Sequence, residues 1–210
     1  MDPKDIVEQG YDRIGEEYER WSEGATDPAR ERYLDVLLEG LPGGAEVLDL
    51  GCGSGALATR RLSERFQVTG VELSARMVEL ARRNVPGARF VRADMASVEF
   101  PPETFDGVCA FYSLTHLPQE ELPALLRRVA RWLKPAGLFV ASMGSGEDPG
   151  SVQEEWVGGV PMYFAGYAAP MNKELVEEAG LRLLSARTEA VREEGGGDVT
   201  FLWIVAKKPG

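Results

Sequence analysis

Asp49-Leu50-Gly51-Cys52-Gly53-Ser54-Gly55 places three glycines at alternate positions between an apolar run and a stretch that should turn helical. Glycine lets a backbone turn tightly and approach a ligand closely, and a helix N-terminus favours negative charge. A strand, a glycine loop and a helix therefore suit a nucleotide-like ligand at the carboxyl end of a sheet strand. Glu72 should end the next strand, where its carboxylate could hold ribose hydroxyls. The bland alternative is a surface glutamate before a helix. Asp94 should end the strand after that, with a turn cap as its alternative. His116 is the single histidine, which excludes a multi-histidine metal site, and no metal is implied.

The elements that must position these groups follow from periodicity. Ile6, Val7, Tyr11, Ile14 and Tyr18 recur at helical spacing over about residues 4–20. Pro28 opens a second helix to about Glu39. Strands are expected at 45–50, 67–71, 88–92, 105–111 and 137–143, and helices at 56–65, 75–84 (N-capped by Ser74) and 119–133. Residues 144–170 show no clear period, and Asn172–Ala179 is a helix closed by Gly180. Strands at 181–188 and 199–207 flank Gly195-Gly196-Gly197-Asp198, so they must be antiparallel. The fold class is thus α/β: a doubly wound, mostly parallel sheet with a reversed last strand and helices on both faces. One domain is expected over 1–210, with lid helices in 1–40 and an insert at 144–170 that could build a pocket.

Composition narrows the function classes. The chain has 210 residues and a formal net charge of -11, which repels phosphate backbones and argues against nucleic acid. The arginine pairs at 60–61, 82–83 and 127–128 lie on separate helical stretches and read as solvated faces. Cys52 and Cys109 form no CxxC and read as reduced thiols of a cytoplasmic protein. The N-terminus is charged and lacks a signal peptide's apolar run, and no stretch reaches transmembrane length. Oligomeric state is not legible.

Gly51, Gly53 and Ala56 also satisfy G-x-G-x-x-A, the dinucleotide fingerprint, so an NAD-linked oxidoreductase is the rival enzyme reading. Three features favour S-adenosylmethionine. Asp49 would repel a pyrophosphate but suits the ammonium and sulfonium end of that cofactor. Some 45 residues precede the loop and include an amphipathic helix. The terminal hairpin leaves no room for a separate substrate domain.

VLDLGCGSG at 47–55, VTGVELS at 68–74, RADM at 92–95, FDGVCAFYSLTHL at 105–117 and LKPAGLFVAS at 133–142 resemble, in order, the strand motifs of class I S-adenosylmethionine-dependent methyltransferases. YDRIGEEYERW at 11–21 resembles the N-terminal helix of small-molecule members. The resemblance spans nearly the whole chain and implies a seven-stranded Rossmann-like sheet. It implies cofactor contacts from Asp49, Gly51, Cys52, Gly53, Gly55 and Glu72, with Asp94 on the adenine amino group and the Met95 backbone on the ring edge. Leu73 and Met77 could pack on the adenine, Phe111 and Tyr112 beside the methionyl part, and Tyr11 and Tyr18 over it. Ordinary core packing is the alternative for Met77 and both tyrosines.

Methyl transfer needs alignment and exclusion of water, and an oxygen or nitrogen acceptor can also need a base. His116 is the candidate base; its alternative is a structural histidine at the Pro118 turn. The Asn/Asp-Pro-Pro-Tyr/Phe motif of amino-methylating members is missing, which argues against DNA and leaves RNA and protein acceptors open. Trp156, Met162, Tyr163, Phe164 and Tyr167 offer apolar surface for a small-molecule acceptor. A non-catalytic cofactor-binding protein on the same scaffold is the non-enzyme alternative.

Overall fold

The computed structural model describes residues 2–24, 27–192 and 198–210. Its main sheet is built from β1 (Glu46–Leu50), β2 (Gln67–Glu72), β3 (Arg89–Arg92), β4 (Phe105–Ala110), β5 (Leu133–Gly144), β8 (Arg182–Arg192) and β9 (Asp198–Lys207). The seven strands run in the order β3-β2-β1-β4-β5-β9-β8. Only β9 is antiparallel to its neighbours, as the terminal hairpin requires. The expected turn at Gly195–Gly197 lies outside the described residues, and Asp198 opens β9.

Alternation along the central strands supplies both layers. Leu48, Val108, Phe139 and Ile204 face one side, where they meet Leu125, Leu126, Val129 and Trp132 of α5 (Leu122–Trp132). Val47, Cys109, Val140 and Trp203 face the other, against Tyr33, Leu34 and Leu37 of α2 (Pro28–Gly40) and Leu62 of α3 (Ala58–Ser63). Tyr33 stacks flat on Trp203, with centroids 4.5 Å apart. Side chains of period two thus feed two helical layers, the signature of a sheet buried on both faces.

Above the carboxyl ends of the strands lies α1 (Pro3–Gly24). Its acidic residues Glu8, Asp12, Glu16 and Glu19 fall at helical spacing and grip β3 and α4 (Ala75–Asn84). Glu8 pairs with Arg92, Glu16 with Arg76, and Asn84 donates to Glu19. The Asp12 carboxylate accepts from the Ser74 hydroxyl at 2.6 Å and the Arg76 N–H at 3.0 Å. Gly15 permits this approach, because a Cβ there would stand 2.8 Å from the Arg76 Cγ.

The structure amends the sequence reading in four places. The helix expected from Ala56 begins at Ala58, because the glycine loop runs on through Leu57. Residues 119–121 are a 3₁₀ turn and the α-helix starts at Leu122, with Pro123 in its first turn where a missing N–H costs nothing. The helix expected from Asn172, α6, already starts at Ala169. The insert holds a hairpin, β6 (Asp148–Gln153) with β7 (Met162–Gly166), whose Pro149 and bulged register hide the alternation. Among the described residues no helix is long and apolar enough to cross a membrane.

Candidate functional site

Three glycines of the loop after β1 have left-handed backbones, with φ of +71° at Gly51, +56° at Gly53 and +69° at Gly55. A Cβ on Gly51 would stand 2.2 Å from that of Ser113, whereas Gly53 opens on free space. Four of the loop's N–H groups are spent within the protein. Gly51 and Cys52 donate to the Val71 carbonyl, Gly55 to that of Cys52, and Gly53 to a Glu72 carboxylate oxygen at 3.0 Å. Those four donors are therefore not free for a pyrophosphate.

The loop floors a cleft at the ends of β1, β2, β3 and β4, roofed by Val7, Tyr11 and Tyr18 of α1. Of the residues singled out in the sequence, Gly51, Gly53, Glu72, Leu73, Asp94, Met95, Phe111, Tyr112 and His116 line it. A side lobe shares Tyr18, Gly51, Gly53, Phe111 and Tyr112 and adds Asp49, Cys52 and Gly55. Met77 is the exception. Its side chain is fully buried on the inner face of α4 and lines neither space.

The carboxylates are buried and only partly compensated. Glu72 accepts one backbone N–H on each oxygen, from Gly53 and from Ser74 at 2.9 Å, which fixes both oxygens at the cleft wall. Burial raises its pKa, against the pull of those donors. Asp49 accepts the Thr59 hydroxyl at 2.6 Å and a Cys109 thiol hydrogen bond. Burial outweighs both and lifts its pKa to about 6. Burial likewise pushes the Cys52 and Cys109 thiols up, with Asp49 adding to the effect, so neither is an activated nucleophile. Asp94 caps its own turn through the Ala96 N–H at 2.8 Å and pairs with Lys4 at 2.7 Å, so its turn-cap reading and its place in the cleft both hold.

His116 sits in a 3₁₀ turn after β4. Its Nδ1 lies 2.8 Å from the Tyr163 carbonyl, which can only accept, so Nδ1 carries the proton. Nε2 then accepts the Tyr11 hydroxyl at 3.0 Å. Burial lowers the pKa to about 4, so the ring is neutral at physiological pH. Tyr112 has a left-handed backbone, φ +57°, which is costly for a non-glycine residue. The conformation is held at both ends: its N–H donates to the Ser142 hydroxyl at 2.6 Å and its hydroxyl to Asp27 at 2.5 Å.

Beyond Tyr11, Tyr18, Tyr112 and His116 the cleft gives onto a chamber that also includes Trp21, Arg30, Trp156, Phe164 and Phe201. Of the expected acceptor-pocket residues, Trp156 reaches it and Met162 and Tyr163 do not. Those two are buried in the cluster that also holds Val7, with Met162 beside Gly10 of α1 and the Tyr163 ring beside Gly150. Sequence reasoning missed Lys4, Asp27 and Arg30. Asp27 before Pro28 is a readable N-cap, and it does accept from the Arg30 N–H. Arg30 is 9% exposed, its buried Nε has no protein partner, and the residue lines both the side lobe and the chamber.

Comparison with known proteins decides between the two cofactor readings. A family model described as a methyltransferase domain matches residues 47–137, from β1 into β5. Over residues 47–137 the chain carries a methyltransferase domain of the class I S-adenosylmethionine-dependent type. The cofactor of that family is S-adenosylmethionine, and the dinucleotide fingerprint in the loop is incidental. A trans-aconitate 2-methyltransferase of Paracidovorax citrulli is 36% identical over 130 residues, 60% of this chain and 48% of that protein. A phosphoethanolamine N-methyltransferase of Triticum aestivum is 32% identical over 195 residues, 89% of this chain and 35% of the relative. The chain thus spans less than half the length of these two relatives. The 1,6-didemethyltoxoflavin-N1-methyltransferase of Burkholderia thailandensis, crystallised with 1,6-didemethyltoxoflavin and S-adenosylhomocysteine, shares the fold. It superposes with a TM-score of 0.70 at 21% identity, covering 98% of this chain and 88% of that one.

Proposed function

We propose that the chain transfers the methyl group of S-adenosylmethionine to a small-molecule acceptor held in the aromatic chamber. The observation that carries this reading is the wall shared by two spaces. A cleft with strand-end carboxylates and a ring-lined chamber meet at Tyr11, Tyr18, Tyr112 and His116. The residues fit the cofactor. Glu72 can accept the ribose hydroxyls, Leu73 and Met95 can flank the adenine beside Asp94, and Asp49 offers a buried negative charge to the cationic end. When bound, S-adenosylmethionine supplies an activated methyl on a sulfonium, which leaves by in-line displacement.

The chain's own work is alignment and exclusion of water. In this reading α1 (within the lid segment 1–40) closes the cleft, and the insert 144–170 supplies part of the acceptor wall. His116 acts as a positioning residue. A ring of such low basicity cannot retain a proton at neutral pH, but it fixes the Tyr11 hydroxyl at the junction. Calorimetry with S-adenosylmethionine and with NAD, followed by an acceptor screen, tests the proposal. S-adenosylmethionine should bind and yield methylated product. His116→Ala should cut turnover at least tenfold, keep the cofactor dissociation constant within about twofold and add no pH limb near 6.5. Binding of NAD alone would refute the reading, and tight cofactor binding without any product would favour a non-catalytic role.

A further inference from the structure

The chamber beyond the shared wall is built from rings contributed by distant parts of the chain. Tyr18 and Trp21 come from α1, Trp156 and Phe164 from the insert, and Phe201 from β9. Tyr18 and Trp156 lie 5.5 Å apart and tilted by 36°, and Trp156 meets Phe164 edge-on at 5.9 Å. Trp156 is thus the ring that joins the α1 wall to the hairpin wall. Among the described residues, the charged groups at the chamber are Asp27 and Arg30, one of each sign. Both Asp27 oxygens already accept protein hydrogen bonds, from the Tyr112 hydroxyl and the Arg30 N–H. His116 is neutral there, with its two ring nitrogens occupied by Tyr11 and the Tyr163 carbonyl.

A cationic acceptor would face the Arg30 guanidinium, and an anionic one would face Asp27, so charge of either sign gains little. Flat neutral rings gain stacked and edge-to-face contact with walls of this kind, whereas a saturated skeleton of equal size gains only burial. We infer that the acceptor is a neutral planar molecule of one or two fused aromatic or heteroaromatic rings that packs on Trp156. The inference rests on the function proposed above and names its substrate class.

The test is calorimetry on protein first saturated with S-adenosylhomocysteine. It is then titrated with 2-naphthol and, separately, with decahydro-2-naphthol, which has the same skeleton without aromatic faces. 2-Naphthol should bind at least tenfold more tightly than its saturated analogue. Trp156→Ala should weaken 2-naphthol at least tenfold and leave S-adenosylhomocysteine within twofold. Trp156→Phe keeps a ring, should retain the preference, and guards against an alanine variant that fails to fold. Equal affinity for the two probes, or no binding of 2-naphthol, would overturn the planar acceptor. Unchanged 2-naphthol affinity in the folded Trp156→Ala protein would overturn its placement. Failure of S-adenosylhomocysteine to bind shows before either probe is added, and would sink the parent reading together with this one.

Discussion

Asp49 is 2% exposed and ionises only at about pH 6, because burial outweighs its bonds to Thr59 and Cys109. A carboxyl whose folded pKa is raised stabilises the fold below its unfolded pKa, near 4, and loses that contribution as pH rises through the folded value. Ionised at neutral pH, it is a cost on the order of 3 kcal/mol that a bound cation would relieve. Cofactor affinity should therefore rise between pH 5 and 7. Asp49→Asn should flatten most of that rise and weaken binding at pH 8 at least tenfold, with Tm at pH 8 unchanged or higher. Calorimetry at three pH values, with thermal melts alongside, checks this; a flat affinity profile in the unmodified protein would contradict it. The carboxylates of Asp49 and Glu72 were legible because each closes an apolar strand. Arg30 and Lys4 were not, since both reach the site from helices whose docking is set by distant contacts. Met77, Met162 and Tyr163 show the same limit from the other side. Their type suited a pocket, and tertiary register turned them into the core.

α1 is held by charge along one face and by rings along the other. Lys4 fastens its first turn, pairing with Asp94 at 2.7 Å and Glu121 at 2.5 Å, and these ion pairs hold its pKa up against partial burial. Half-exposed pairs of this kind contribute up to about 1 kcal/mol each. Lys4→Ala should then lower Tm by at most about 4–8 °C and speed cofactor dissociation roughly fivefold in stopped-flow traces, and 0.5 M salt should likewise speed dissociation from the unmodified protein by screening. Dissociation indifferent to both would mean that α1 is not the gate. The sequence did announce α1, because its apolar residues keep helical period and Tyr11 and Tyr18 fall on one face, with rings 5.1 Å apart. It hid the β6–β7 hairpin. Gly150, Gly158 and Gly159 have positive φ, and the shifted register breaks the period-two signal by which strands are recognised.

Across the whole molecule, the cleft is lined by α1, the glycine loop and the ends of β2, β3 and β4, so a ligand there ties the roof to the sheet. The parallel order and reversed β9 were readable in advance because strand–helix alternation and one tight terminal connection leave few topologies. How the roof sits on the sheet depends on ion pairs and glycine contacts far apart in sequence, which no local pattern encodes. Such a joint should appear in thermal unfolding. A ligand at 100 times its dissociation constant adds about 2.7 kcal/mol to the folded state if it binds only that state. For a chain of this size each kcal/mol moves Tm by roughly 2–4 °C. S-adenosylmethionine at that excess should thus raise Tm by about 5–10 °C, and NAD at the same concentration should leave it unchanged. Differential scanning fluorimetry at pH 7.5 reads both. The rise should shrink at pH 5, where Asp49 is protonated, and it should persist in Trp156→Ala, whose change lies in the chamber and not in the cofactor cleft. A rise that vanished in Trp156→Ala would place the cofactor in the wrong space and reverse the assignment of cleft and chamber.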